Sequence, residues 1–218
     1  MKILALASSP RRSGNSETLL DAALYGIYDP VNESRVVGAD LRVGPHGWAQ
    51  DAHIKKAALA DLKISPCTGC LACSKTGECV IKDDMQVLYE DLLAADILLV
   101  ASPIYFKGLP CQLKCVIDRC QALWARKYIL KKTRSPSLRR GEGRGEGERT
   151  GRASAILVCA SSGMKDMFTG ALITLKAWFK TLDYDYDKKL LAEGLEEEAA
   201  ALRNKRLLGK AFNFGKKL

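Results

Sequence analysis

The chain has 218 residues, 47% of them hydrophobic, and a formal net charge of +9. That length and apolar content suit one well-buried domain and exclude global disorder, while the longest apolar runs, 97–101 and 156–160, are far too short to cross a bilayer. The charge is local: residues 126–152 hold ten Lys/Arg against three Glu, a net of +7, which leaves only +2 for the rest and argues against a nucleic-acid surface spread over the fold.

Residues 2–8 form a nearly continuous apolar run, the pattern of a central parallel strand covered on both faces. A loop rich in Ser, Arg, Gly and Asn follows, and Leu19, Leu20, Ala23, Leu24 and Ile27 then mark one face of a helix. The second strand has two candidates, 34–43 and 52–59, separated by Gly44-Pro45-His46-Gly47. The later one is preferred because it runs straight into a cluster of cysteines, and it leaves about 29–50 as an insertion of no assigned role. Met85, Leu88 and Leu92 mark a helix capped by Asp83 or Asp84, and 96–101 is a buried strand. Pro110, whose missing N–H costs nothing in a first turn, starts a helix carrying Leu113, Val116, Ile117, Cys120 and Leu123. Residues 134–152 are low in complexity, have no apolar face and read as a mobile excursion. A strand at 153–160, a helix with Phe168, Leu172, Leu175 and Phe179, a weaker strand at 184–191 and a last helix from Leu195 complete the chain. Strand and helix alternate, which predicts one α/β domain over 1–218, a doubly wound five-stranded parallel sheet with helices on both faces.

Three segments could carry chemistry. Ser8-Ser9-Pro10-Arg11-Arg12-Ser13-Gly14-Asn15-Ser16 joins the first strand to the first helix, where backbone N–H groups and the helix dipole favour a phosphate and where hydroxyls, an amide and a guanidinium add donors. It is neither a Walker A loop nor the Rossmann G-x-G-x-x-G, and the alternative reading is a plain capped turn. Residues 101–108 place Ile104, Tyr105 and Phe106 directly after a buried strand, which suits a planar ring in a crevice or an aromatic core corner. Cys67-x2-Cys70-x2-Cys73-x5-Cys79 lets four thiolates converge on one centre, with Gly69 and Gly77 easing the wrap. An iron–sulfur cluster, zinc and free redox-active thiols all remain open on spacing alone.

No secretory pattern follows Met1, so a cytoplasmic protein is expected, and there eight cysteines are not expected to be structural disulfides. Cys111, Cys115, Cys120 and Cys159 read as buried free cysteines. His46 and His53 are assigned no role, and Lys114, Asp118 and Arg119 read as a solvated helix face with a local ion pair.

Taken together, Ser-x-Arg-x-x-Gly-Asn-Ser at 9–16, Pro-Ile-Tyr-Phe-x-Gly at 103–108 and Leu-Lys-Cys-Val-Ile-Asp-Arg at 113–119 resemble the flavodoxin-like NAD(P)H-dependent FMN reductases. The four-cysteine spacing resembles their iron–sulfur flavoprotein branch. The resemblance implies that Ser9, Arg11, Asn15 and Ser16 hold the FMN phosphate, that Pro103, Ile104, Tyr105 and Phe106 contact the flavin ring with Ser161, Ser162 and Gly163 at the next strand end, and that Cys67, Cys70, Cys73 and Cys79 hold a [4Fe–4S] cluster. Ser8 departs from the family, which often has glycine there. The implied function is an FMN-dependent oxidoreductase or electron-transfer flavoprotein whose cluster relays electrons to FMN. NAD(P)H or a ferredoxin-like protein would be the donor, and no protein acid or nucleophile is expected, since FMN carries the chemistry. The family is commonly dimeric or tetrameric. Two other readings stand beside it. One is an NAD(P)H:flavin or quinone reductase without a cluster. The other is a nucleic-acid or acidic-partner binder using the Arg-rich stretch, which lacks interleaved aromatics for stacking.

Overall fold

The computed structural model describes residues 1–28, 53–132 and 151–218. The expected insertion at 29–50 lies outside the described residues, as does the expected excursion up to residue 150.

In chain order the elements are β1 (Lys2–Ala7), α1 (Asn15–Tyr28), β2 (His53–Ala58), a 3-10 turn (Leu59–Asp61), α2 (Cys73–Thr76), α3 (Met85–Ala94), β3 (Ile97–Pro103), α4 (Cys111–Arg119), and α5 (Gln121–Trp124) running into a π turn (Ala125–Ile129). After these come β4 (Gly151–Val158), α6 (Thr169–Thr181), β5 (Tyr184–Ala192), α7 (Ala200–Arg203) and α8 (Lys205–Gly215). The five strands form one parallel sheet in the order β2-β1-β3-β4-β5. This is the flavodoxin-like order, whose connections reverse direction between β1 and β3. The second strand is the later of the two sequence candidates.

One boundary needs correction. Gly151 and Arg152, expected to end the excursion, instead open β4. The Arg152 N–H donates to the Asp96 carbonyl at 2.9 Å and the residue pairs with Ile97, so the ladder continues through it while its side chain stays in solvent. Gly151 is required there, because a Cβ would lie 2.4 Å from the Tyr184 ring.

The continuous apolar strands are explained by burial on two sides. Leu4, Leu6, Leu98, Val100 and Leu157 face a core built with α3, α4, α5 and α6. Their neighbours Ala5, Ala7, Leu99, Ala101, Ile156 and Val158 face a second core under α1 and α8. Alternation on a pleated strand thus serves both layers, and at about 25 cal/mol per Å² of buried apolar surface these cores are the main source of stability. β5 is an edge strand whose alternating residues are exposed, with Asp185, Asp187 and Lys189 on the solvent side, a composition that discourages edge-to-edge pairing. Among the described residues no helix is long and apolar enough to cross a membrane.

Candidate functional site

Because the strands are parallel, the loops after β1, β3 and β4 all leave the same edge of the sheet. Ala7 stands beside Ala101 in the register, and the Ser8 N–H and hydroxyl both donate to the Ala101 carbonyl, at 2.9 and 3.0 Å. Ser8 is therefore committed to the sheet. The chain then curls through Ser9, whose hydroxyl accepts from the Arg11 N–H at 3.1 Å, and Ser13, whose φ of 55° is left-handed. Glu17 reaches back to accept the Ser13 N–H at 2.7 Å, fixing the start of α1.

The two arginines of the loop have different roles. Arg12 is turned onto the Glu17 and Asp61 carboxylates, whereas Arg11 is exposed beside the helix start. Ser9 and Ser16 are buried in the same turn. Asn15 is placed differently from its expected part as a phosphate ligand. Its amide donates to the Leu195 and Glu197 carbonyls at 3.1 and 2.9 Å, and its oxygen accepts the Ala201 N–H at 3.0 Å. That side chain fastens the segment after β5 onto α1.

At the ends of β3 and β4 lies an open cavity of about 410 Å³ lined by Ile104, Phe106, Lys107, Cys159, Ala160, Ser161, Met164 and Met167. Tyr105 and Gly108 close a two-residue hairpin, exchanging N–H···O bonds of 3.1 and 2.8 Å, with Phe106 and Lys107 both left-handed at φ 49° and 60°. Such a turn normally takes Asn-Gly, so these side chains are strained in place, and strain of this kind gathers at ligand sites. The turn sets Phe106 wholly in solvent at the cavity rim. Gly170 permits this, because a Cβ there would press within 2.8 Å of the Lys107 carbonyl oxygen.

Of the residues expected around a ring, Ile104, Phe106 and Ser161 share this cavity. Pro103, the last residue of β3, and Tyr105, Ser162 and Gly163 on the loops that follow β3 and β4 stand outside its lining, the Gly163 N–H donating to Glu193 at 3.2 Å. Lys107, Met164 and Met167 were not anticipated. Lys107 directly follows the aromatic motif, and the two methionines flank Lys165-Asp166 just after the β4 loop. The cavity's size and mainly apolar wall fit a planar heterocycle, and the anion-favouring turn after β1 lies on the same edge.

The second centre is the segment after β2. Cys67, Cys70, Cys73 and Cys79 line one pocket together with Ile81, Arg119 and Gln121. Gly69 and Gly77 take φ of 67° and 78°, as a tight wrap demands, and Gly77 ends α2. Burial raises the Cys73 thiol pKa, and Cys79, Cys67 and Cys70 raise it further, which places those three within the field of Cys73. Cys70 is lowered, chiefly by the Ala72 backbone N–H and then by Thr68. Among the described residues no three His, Cys, Asp or Glu side chains close around a single ion. The four thiols share the lining of one pocket without meeting at a single point.

Arg119 overturns the reading of a solvated helix face. Lys114 and Asp118 do form the exposed pair, at 2.6 Å, but the Arg119 side chain is 0% exposed and reaches under the cysteine segment. It donates to Asp83 at 2.7 and 3.1 Å, to the Ser65 carbonyl at 2.9 Å and to the Ile81 carbonyl at 3.1 Å. Asp83 also accepts from the Ser65 and Met85 N–H groups, so it is the carboxylate at the head of α3, while Asp84 accepts from Lys63. Of the other cysteines, Cys120 and Cys159 are buried as expected, with burial pushing the Cys120 thiol up to about 12, but Cys111 is exposed and Cys115 half-buried on α4. The Cys159 thiol donates to the Ser161 carbonyl at 3.0 Å on the cavity wall.

An α/β sheet of this order, with a helix-start turn and an open cavity on one edge, defines the flavodoxin-like class. Residues 1–183 match the model of the NADPH-dependent FMN reductase family, and the chain belongs to that family of FMN-dependent oxidoreductases. It is 32% identical over 149 residues to an iron-sulfur flavoprotein of Methanosarcina thermophila, a match covering 68% of this chain and 67% of that protein. It is 31% identical over 123 residues to an iron-sulfur flavoprotein of Methanocaldococcus jannaschii, covering 56% of this chain and 53% of the relative. The matches thus span about half to two thirds of these relatives' lengths. Among solved structures, a flavone reductase superposes with a TM-score of 0.66 at 18% identity, over 99% of this chain and 61% of the other, a likeness of fold.

Proposed function

We propose that the chain binds FMN across the ends of β1, β3 and β4 and a [4Fe–4S] cluster in the cysteine pocket, and that it works as an electron-transferring FMN reductase. FMN would supply two-electron and one-electron redox chemistry, and the cluster one-electron transfer. The chain's own residues bind and orient. The turn at Ser9, Arg11 and Ser16, with the Asn15 N–H, would receive the phosphate. Ile104, Tyr105, Phe106 and Pro103, with Ser161, Ser162 and Gly163 opposite, would bracket the ring. Cys67, Cys70, Cys73 and Cys79 would ligate iron. No side chain at the cavity is placed as a general acid or nucleophile in this reading.

The observation that carries the cluster is that all four cysteines line a single pocket, and the names of the relatives support it. Eight free thiols suit a reducing compartment such as the cytoplasm. NAD(P)H or a ferredoxin-like protein as donor, and a homodimer or homotetramer, belong to the same proposal.

Anaerobic reconstitution with ferrous iron, sulfide and FMN tests it. The wild type should hold iron and sulfide together with flavin. Serine at Cys67, Cys70, Cys73 or Cys79 should deplete the iron while FMN stays bound through its separate loops, and serine at Cys111 or Cys159 should leave the iron unchanged. Wild-type protein with flavin but no iron or sulfide would leave the cluster-free quinone or flavin reductase as the answer.

A further inference from the structure

We propose that Arg119 is a positioning residue for the cysteine-held cluster, its buried guanidinium supplying an N–H donor and a fixed positive charge beneath the four sulfurs. The inference rests on the cluster reading above.

A fully buried arginine is rare unless every donor is paired, and a buried ion pair gains little stability over apolar residues of the same volume. Arg119 has five N–H donors. Four are used, in the fork to Asp83 and in the bonds to the Ser65 and Ile81 carbonyls. The fifth, on Nε, is buried and has no acceptor among the described residues. Arg119 lines the same pocket as Cys67, Cys70, Cys73 and Cys79.

The Cys79 thiol stands beside the guanidinium. Arginine keeps its proton at any accessible pH, and here the guanidinium is also paired with Asp83 at 2.7 Å, so the cation is permanent. An orphaned donor and a permanent cation next to a sulfur are what a group with anionic thiolate ligands requires.

The clamp also has a mechanical side. The Ser65 carbonyl precedes Cys67, and the Ile81 carbonyl follows Cys79. One guanidinium therefore holds both ends of the cysteine segment, while Tyr89 fixes the Arg119 carbonyl from α3 with a 2.7 Å bond. Outer-shell donors of this kind orient ligands and tune a metal centre. Adding an electron to a centre that already carries four thiolates is opposed by their negative charge. Asp83 balances the Arg119 charge, but only the guanidinium end of the pair lines the pocket, so the sulfurs face its positive side, and the surroundings screen that field weakly. Arg119 should thus raise the cluster's reduction potential and leave FMN, held by other loops, as an internal reference.

The test uses anaerobically reconstituted full-length protein with FMN, comparing wild type, Arg119→Lys, and Arg119→Gln combined with Asp83→Asn so that no lone carboxylate is left buried. Iron and sulfide per chain, the unfolding midpoint and the cluster potential are measured, the last by redox titration followed by cluster absorbance. The double variant should lower the reduced-to-oxidised ratio by about tenfold, a shift of about 59 mV to more negative values for a one-electron couple. Arg119→Lys, which keeps charge and loses the Nε–H, should fall between the two, and the FMN potential should not move. Loss of iron from the double variant with FMN and unfolding midpoint retained also supports the inference. Full iron with an unchanged cluster potential in both variants overturns it. If the double variant unfolds or loses FMN, Arg119→Lys decides alone, an unchanged potential again overturning the inference. A wild type without iron and sulfide would overturn the cluster reading itself, a separate result.

Discussion

Glu17 and Asp21 lie one turn apart on α1 and share the Lys56 ammonium, at 2.8 and 2.6 Å, yet their carboxyls are driven in opposite directions. For Glu17, burial raises the pKa, but Lys56, the Ser13 N–H and Arg12 outweigh it and hold the group below the ordinary glutamate value. For Asp21, burial wins over Lys56, Glu17 adds to it, and the pKa rises from 3.8 to about 6. The folded-state value of Asp21 lies above the unfolded one, so its contribution to stability is fully present below about pH 4 and is lost as pH rises through about 6. Glu17 works in the lower window, its contribution being lost as pH falls through its depressed value. In unfolding titrations the wild type should lose about 2 kcal/mol relative to Asp21→Asn between about pH 4 and pH 6.5. Parallel stability curves for the two proteins would contradict this balance.

At the scale of elements, α1 and α8 cross so closely that neither tolerates a side chain at the contact. A Cβ on Gly26 would lie 2.0 Å from the Phe212 carbonyl oxygen, and one on Gly215 would lie 1.9 Å from that of Ala23. Helix propensity alone favours alanine over glycine by about 1 kcal/mol. Backbone contact reverses the sign, since the helices must part and disturb the packing of Leu24, Leu208 and Phe212. Gly26→Ala and Gly215→Ala should each cost at least about 1–3 kcal/mol in urea unfolding, and a gain in either would show that the crossing is loose. The Phe106-Lys107 turn is the opposite case, a strained element retained at a cavity rim, where side-chain placement outweighs local preference.

Across the whole molecule, the anion-favouring turn, the ring-sized cavity and the cysteine pocket are supported by one two-sided core, so ligand binding should be felt by global unfolding. A ligand at about 100 times its Kd adds about 2.7 kcal/mol to the folded state. FMN should raise the unfolding midpoint accordingly. Riboflavin at equal concentration should raise it much less, because it would leave the proposed phosphate turn at Ser9 and Arg11 empty. Arg11→Ala should remove most of the FMN excess, at about 1.5–3 kcal/mol for a charge-assisted bond, and leave the riboflavin shift alone. Equal shifts for the two ligands in the wild type would place the phosphate elsewhere.

What the sequence determined by itself is what depends on neighbours in the chain. Runs such as 97–101 must be buried on both faces whatever surrounds them, so the strands and the parallel class were legible, as was the choice of 52–59 over 34–43. The cysteine spacing is equally local, since thirteen residues with two glycines let four thiols reach one pocket. The tertiary structure decided everything that depends on which distant element arrives at a given point. Arg119 has the pattern of an exposed helix residue and is buried because Asp83, 36 positions away, is brought beneath it. Asn15 looks like a phosphate ligand, but its amide meets carbonyls 180 and 182 positions along the chain. Gly26 and Gly215 show their purpose only where two helices from opposite ends of the chain meet. Periodicity records how much of a residue is buried and does not record against what. A charge, an amide or a missing side chain takes its meaning from the partner, and the fold supplies the partner.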